Sequence, residues 1–555
     1  MTVSTLSVVP EATASGTAPY AEPGTHPNIP AWWRRSSDVR LQALARAARP
    51  DYEAWLSHVK PASACTRPVR LAGTIATVEA ATGRLLAERA TADMPDGVIY
   101  KPCGNRRESV CPSCSKLYQN DAYQVVRTGL VGGKGVPEQV AHHPAVFPTF
   151  TAPGFGEVHT RVVKRHTCAR RKDCDCRPEP CHARRDLTVC PHGVRLACFA
   201  RHAGDDPRLG TPLCLDCYPY EAHAVWNLMA GELWRRTSIA VNRYIRRLAK
   251  ARGIPDVAAM TADGKLRMVP PVRLSFGKAA EMQRRGIVHF HAIVRLDGVD
   301  PTDPAATVPP PPGIDAHDLV DAIDHATATV GFTTAPHPER PGGWHIGWGE
   351  QILTKVITVA GHGEVTDGQV AAYLAKYATK ATEITGHSSA RLHPDTIDLY
   401  ADRHGTHTER LIDACWRLAD VRWRCPAALC RHHHSCPVCI ERRAAAATPE
   451  PSRYARLRRW AHMLGFGGHF LTKSRRYSVT FALLREQRII FRRAQTSGPE
   501  TTGTGTEPTT LVVNFLQFVG AGWHTSADAM LANTSAAMAR EHAEAARQAL
   551  QTLAA

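Results

Sequence analysis

Apolar and polar positions change period several times along the chain, and each change marks an element. From Ile29 to Leu56 the residues Trp32, Trp33, Leu41, Leu44 and Trp55 recur at helical spacing, and residues 62 to 100 mix short strand-like runs with turns. A strand is predicted at Val146 to Thr151, inside a region rich in cysteine and charge. The longest amphipathic stretch, Tyr220 to Ala251, carries Trp226, Leu228, Leu233, Trp234, Ile239 and Ile245 and predicts a helix. Strand signals return at Val272 to Gly277 and Ile287 to Leu296, with the turn-like Arg284-Arg285-Gly286 before the second. A proline-rich loop follows from Asp300 to Gly313, then a strand around Trp344 to Trp348 and a helix from Gln369 to about Thr382. Beyond a cysteine cluster at 425 to 439 come a basic segment to Arg493, a Thr/Gly linker from Gln495 to Pro508 and an Ala-rich helix. No internal repeat is visible.

Two of these elements carry chemistry. Alternate side chains of a strand share a face, so His289 and His291 point one way while Val288, Phe290, Ala292 and Val294 point toward a core. Two imidazoles on one face of a rigid strand make half a cage for a divalent ion. The nearest third ligands are Glu281 and Gln283, of which Glu281 is preferred. On the helix, Tyr373, Lys376, Tyr377 and Lys380 fall on one face, and Val370, Leu374 and Ala378 on another suited to packing on a sheet. Lysine resists full burial, so a stripe of two phenols and two ammonium groups is unusual for a core. Nearby lysines would favour the phenolate. Taken singly, each pattern has a bland alternative: coincidence in a chain with 28 histidines, or an ordinary amphipathic helix with half-exposed tyrosines.

Charge and cysteine content narrow the setting. The 555 residues carry a formal charge of +17, which favours a polyanionic partner, and no stretch is apolar enough to span a bilayer. Met1 to Gly24 lacks the basic start and apolar run of a signal peptide and reads as a disordered tail, so a cytoplasmic location is expected. Seventeen cysteines in short-spaced groups point to thiolate zinc sites in a reducing compartment. Cys425, Cys430, Cys436 and Cys439 form one compact set, with His432, His433 and His434 as spare ligands. Cys111 and Cys114 are paired in this reading with Cys214 and Cys217, leaving Cys103 unassigned. Cys168, Cys174, Cys176, Cys181, Cys190 and Cys198 would make one or two more sites, completed by His182 or His192. All are expected to hold loops and not to catalyse. Arg453 to Arg493 contains eleven Lys/Arg residues and one acid, interleaved with Trp460, Phe466, Phe470, Tyr477 and Phe491. Lys473, Arg475 and Arg476 are its candidate DNA contacts, with the aromatics stacking on unpaired bases.

A two-histidine strand followed by a helix reading Tyr-Leu-Ala-Lys-Tyr-Ala-Thr-Lys resembles the HUH endonuclease superfamily, the nickases of rolling-circle replication. Val146-Phe-Pro-Thr-Phe-Thr151 is similar to that superfamily's first motif. The match extends to the replication initiators of actinobacterial plasmids and integrative conjugative elements. It is carried by Cys103-Gly-Asn-Arg-Arg107, Cys111-Pro-Ser-Cys114, Pro212-Leu-Cys-Leu-Asp-Cys217-Tyr, Glu232-Leu-Trp-Arg-Arg-Thr237, Gln283 to His291 and Gly465-Phe-Gly-Gly-His-Phe-Leu-Thr-Lys473. The resemblance implies an α+β fold, a small antiparallel sheet with flanking helices, to which zinc-binding insertions and a C-terminal basic region are added. It also implies a bound Mg²⁺ or Mn²⁺, with Tyr377 as first nucleophile and Tyr373 as the second tyrosine of the motif. The expected product is a 5′-phosphotyrosine and a free 3′-hydroxyl primer on origin DNA.

On this basis the chain divides into a tail (1–28), an N-terminal mixed region (29–100), a cysteine-rich region with the first core strand (101–220), a nicking core (221–390), a zinc-ribbon-like basic region (415–494) and a linker with the C-terminal helix (495–555). Gly132-Gly-Lys-Gly135 is not a Walker A motif, so a host helicase and polymerase are expected partners. A conjugative relaxase or single-strand transposase would use the same chemistry. A non-enzymatic zinc-containing DNA-binding regulator would need neither the histidine pair nor the tyrosine face.

Overall fold

All eleven residues of the strand Val288–Gly298 are buried, a pattern that only a central strand covered on both faces produces. The computed structural model describes residues 38–163, 177–184, 188–261, 263–303, 305–357, 366–380, 382–385, 390–419, 453–496 and 510–554. These residues form two units, one from the chain's two ends (1–103 and 502–555) and one from residues 104–501.

In the first unit, helices α1 (Val39–Ala47) and α2 (Tyr52–Val59) precede strands β1 (Val69–Glu79), β2 (Leu85–Ala90) and β3 (Ile99–Lys101). The strand Thr510–Ala521 pairs antiparallel along the whole of β1, and the helix Ser526–Ala554 follows it. The segments expected as separate N- and C-terminal regions therefore share one sheet. Trp55, Val59, Val98, Tyr100 and Ala532 form the core of this unit. Arg46 bridges Asp96 and Asp528 at 2.9 and 2.8 Å.

The second unit is built on a five-stranded sheet. Its elements are α3 (Pro112–Val131), β4 (Ala145–Phe150), α4 (Tyr220–Ala251), the hairpin β5–β6 (Val257–Met260, Leu266–Val269), β7 (Val272–Met282) and β8 (Val288–Gly298). Then come α5 (Ala316–Thr329), the pair β9–β10 (Gly331–Thr333, His345–Gly347), β11 (Leu353–Val356), α6 (Asp367–Ala378), α7 (His407–Ala419), β12 (Leu471–Lys473) and α8 (Phe481–Thr496). The sheet order is β11-β4-β8-β7-β12, and every pairing in it is antiparallel. Val288, Phe290, Ala292 and Val294 pack with Trp226, Leu233 and Trp234 of α4 on one face. On the other, Ala279 and Ile293 meet Val126 and Leu130 of α3 and Val370, Ala371 and Leu374 of α6. The sheet thus sits between layers of helix, with β8 at its centre.

Candidate active site

Strand β7 runs on to Met282, five residues past its predicted end, and this extension brings the site together. Glu281 lies directly across from His289, and Ala279 across from His291, so the carboxylate and both imidazoles share one face. Gly286, at φ 78°, closes the intervening turn, where a Cβ would stand 2.6 Å from Leu464 Cδ1. The buried Asn227 of α4 fixes that turn: its amide donates to Gly286 O (2.9 Å) and Leu464 O (2.8 Å) and accepts from the Val288 N–H at 3.1 Å. His223, one turn earlier on α4, donates to the same Gly286 carbonyl at 3.0 Å. Neither residue was singled out from the sequence, because their partners lie 59 and 63 positions away.

His291 Nε2 lies 2.7 Å from the Glu281 carboxylate and 3.4 Å from the Tyr373 hydroxyl. Its Nδ1 lies 3.1 Å from Thr149 Oγ1 on β4, and the Phe147 ring stacks at 6.1 Å, so the first-motif strand supplies two of its neighbours. His289 is also buried. Gln283 places its amide 3.1 Å from Nδ1, while Nε2 has no hydrogen-bond partner among the described residues. Burial first, then the charges of Arg285 and His291, lowers the His289 pKa to about 3, so the ring is neutral.

Helix α6 begins with a capping box, in which Thr366 and Gln369 satisfy each other's backbone N–H. Val370, Ala371 and Leu374 bury its inner face, which turns Tyr373 and Tyr377 over His291 with ring centroids 5.0 and 5.6 Å away. The two tyrosine rings are 4.6 Å apart. Burial raises both phenols above their usual range, with the Glu281 charge adding to the rise, so the expected lowering by lysines is not what the structure gives. Lys376 and Lys380 nonetheless flank the Tyr377 ring, their Nζ atoms 5.9 and 5.7 Å from its centroid.

The helix ends at Ala378, short of the predicted Thr382, and Lys380 reaches the ring from the turn beyond it. The stop has a physical cause. The Arg106 guanidinium donates to the carbonyls of Ala378 (3.1 Å) and Lys380 (2.8 Å) and lies 4.1 Å over the Phe470 ring. Arg106 belongs to the Cys103-Gly-Asn-Arg-Arg107 motif, but nothing in that motif announces this partner.

A divalent ion suits these residues. The buried His289 Nε2 is without a partner, and a neutral imidazole is the ligating form. The Gln283 amide nitrogen reaches Nδ1 while its oxygen accepts from Arg285 Nε at 3.0 Å, so the ring is held through Nδ1 and Nε2 is the atom left for a metal. Thr149 Oγ1 stands ready to do the same for His291. With the Glu281 oxygen, the donor set is two nitrogens and one carboxylate on one face of a rigid sheet.

The other predicted residues divide. Cys214 and Cys217 are joined by Cys190 and His192, with ligand atoms all within 4.8 Å of one another, and not by Cys111 and Cys114 as the sequence suggested. Cys190-Pro-His192 begins a tight turn, closed by Gly193 N–H to Cys190 O at 2.9 Å, that brings its own two ligands together. Cys111 and Cys114 are buried at the first turn of α3. A second group comprises His159, Cys181, Cys198 and His202. Both groups are compatible with a structural metal such as zinc. His182 is not one of the four but lies beside them, its Nδ1 3.0 Å from Cys181 Sγ and its Nε2 2.9 Å from Glu157. Cys425, Cys430, Cys436 and Cys439, like Cys168, Cys174 and Cys176, lie outside the described residues. Lys473 spends its ammonium on the carbonyls of Ser474, Arg475 and Ser478, which corrects its assignment as a phosphate contact. Arg475 and Arg476 are exposed. Phe466, Phe470 and Tyr477 are core residues and not stacking platforms, whereas Phe491 is 64% exposed.

Comparison with known proteins bears on this arrangement. A family described as "Replication initiator protein, pSAM2" (RepSA) matches residues 51–537. A "Replication initiator protein" of Streptomyces ambofaciens is 35% identical over 515 residues, covering 92% of this chain and 95% of that protein. No solved structure matches the chain. Among the described residues no helix is long and apolar enough to cross a membrane. Matched along nearly its whole length, the chain belongs to the RepSA family of replication initiator proteins.

Proposed function

We propose that this chain starts rolling-circle replication of a plasmid or integrative element by nicking one strand of its origin with a tyrosine nucleophile. The observation that carries this reading is the convergence of His289, His291 and Glu281 beneath Tyr373 and Tyr377, with Tyr373 Oη 3.4 Å from His291 Nε2. A replication initiator as relative supports origin DNA as the substrate. The antiparallel sheet with paired histidines on its central strand and the tyrosine helix above agrees with an HUH-type core.

A Mg²⁺ or Mn²⁺ ion held by His289, His291 and Glu281 would polarise the scissile phosphate. The protein's own groups do the rest. Gln283 and Thr149 orient the two imidazoles, and Lys376 and Lys380 place positive charge beside the phosphate. The Tyr377 hydroxyl gives up its proton to water as it attacks, Glu281 being engaged by His291 Nε2 at 2.7 Å. The tyrosine O–P bond forms as the P–O3′ bond breaks, and the 3′-oxygen takes up a proton to become the primer hydroxyl. The phosphotyrosine conserves the bond for rejoining. Tyr373 then serves as second nucleophile when the origin is regenerated. Arg475 and Arg476 contact phosphates, and a host helicase and polymerase extend the freed end.

On a supercoiled origin plasmid, Tyr377→Phe loses the first nick, whereas Tyr373→Phe still nicks but releases single-stranded circles poorly. Phe preserves the ring and its packing, so either loss reports the hydroxyl. Full activity of Tyr377→Phe would reverse the assignment.

A further inference from the structure

We propose that His159, Cys181, Cys198 and His202 bind a structural Zn²⁺ whose task is to brace the turn between β7 and β8. The zinc assignment stands apart from the nicking reading; only the benefit to the active site rests on it.

The donor geometry comes first. His159 Nδ1 and His202 Nε2 are 3.2 Å apart, Cys181 Sγ is 3.7 Å from His159 Nδ1, and Cys198 Sγ is 3.6 Å from His202 Nε2. Ligands placed tetrahedrally at zinc distances stand about 3.3–3.8 Å from one another. Two thiolates and two imidazoles are a soft set that selects zinc over magnesium or calcium.

The surroundings are those of a ligand sphere. Asp206 Oδ2 takes the other ring nitrogen of His202 at 2.7 Å, the carboxylate–histidine arrangement that fixes tautomer and orientation. The Thr160 N–H points at Cys181 Sγ from 3.1 Å, as suits a thiolate. An antiparallel bridge between His182 and Cys198 brings two of the ligating segments side by side. Among the described residues, the stretch between β4 and α4 contains only isolated bridges and turns. A connection whose described residues hold no helix or strand needs another source of order.

The same short loop touches the active-site hairpin. Arg284 donates from Nη2 to Gly204 O at 2.6 Å and from Nη1 to Asp206 O at 3.5 Å, so the residue that orients His202 also receives the turn. Gly210, at φ 87°, lies so close that a Cβ would stand 2.7 Å from Arg285 N. From there Arg285 Nε donates to Gln283 Oε1 at 3.0 Å, and Gln283 reaches His289 Nδ1 at 3.1 Å. An unbroken run of contacts thus joins the four-ligand cluster to the imidazole ligand on β8.

The test uses the full-length reduced protein, purified without chelators. Elemental analysis should find one zinc per chain fewer in His202→Ala than in the unaltered protein, while the Cys190, His192, Cys214 and Cys217 group keeps its own. Hydrogen–deuterium exchange should show the amides of residues 283–289 exchanging faster in the same variant. Arg284→Ala, an exposed change that leaves folding and zinc intact, should speed the same amides by about tenfold, the loss expected for one charge-assisted hydrogen bond. Unchanged zinc content in folded His202→Ala overturns the site. Unchanged exchange in Arg284→Ala overturns the brace. Both readouts are independent of DNA cleavage, so a protein that never nicks but follows these expectations sinks the nicking reading alone.

Discussion

At the scale of the residue, His289 is the most informative side chain. A buried nitrogen without a partner costs about 1–3 kcal/mol and persists where something offsets it. His289 Nε2 is such an atom, and its neighbours on the same face are another imidazole and a carboxylate. His289→Ala should therefore abolish divalent-ion binding and nicking while leaving origin binding intact, since phosphate contacts that position the protein lie elsewhere. Chelation should reproduce the effect, and added Mn²⁺ should reverse it in the unaltered protein only. Undiminished cleavage by the variant would remove the metal from the account. The histidines were legible in the sequence because strand period alone puts them on one face, and Glu281 only as the nearest acid before the turn, since the predicted strand stopped at Gly277. Asn227 and His223 were not, and Thr149 was so only as one residue of the Val146-to-Thr151 motif. Each acts on a partner more than fifty positions away, which local periodicity does not encode.

At the scale of the element, two devices hold the tyrosine helix and the histidine hairpin in place. Arg106 binds the last carbonyls of α6 and thereby sets where Tyr377 and Lys380 stand. Arg106→Ala should slow nicking by up to about a hundredfold, the cost of a small misplacement of reacting groups, with circular dichroism and DNA affinity unchanged. Arg106→Lys should not restore the rate, because a lysine lacks the flat guanidinium that stacks on the Phe470 ring while its Nη1 serves the two carbonyls. Equal rates in all three proteins would leave Arg106 without a positioning role. The hairpin's turn is held by two buried histidines, His223 at Gly286 O and His407 at Arg285 O, both 3.0 Å. Burial lowers both pKa values, that of His407 to about 4, below the unfolded value of about 6.5. Stability is then complete above pH 6.5 or so and falls as the pH drops toward 4, because the unfolded chain takes up protons that the folded one excludes. The slope should approach about 1.4 kcal/mol per pH unit for each histidine. Urea unfolding at pH 7 and pH 5 would measure it, and a His223→Gln, His407→Gln protein that keeps the same slope would contradict the assignment. Helix α4 was legible to its end residues because its amphipathic stripe is long and unbroken. Helix α3 was not, because its opening Cys111-Pro-Ser-Cys114 drew attention as a metal motif.

At the scale of the whole molecule, the second unit gathers β4, β7, β8 and β12, which the sequence reading spread over three regions, into one sheet. In the first unit, β1 pairs with a strand that begins at Thr510, and no pattern within either segment encodes that pairing. The site itself depends on one such long-range fact, the placing of α6 over β8, which the sequence suggested only through the resemblance of its two motifs. The central claim is that the helix delivers Tyr377 to a DNA phosphate held above His289 and His291. Its most direct test is peptide mapping of the covalent adduct formed by the unaltered protein on its own origin DNA. The account predicts a nucleotide attached to Tyr377 after the first nick; an adduct on neither Tyr377 nor Tyr373 would contradict it.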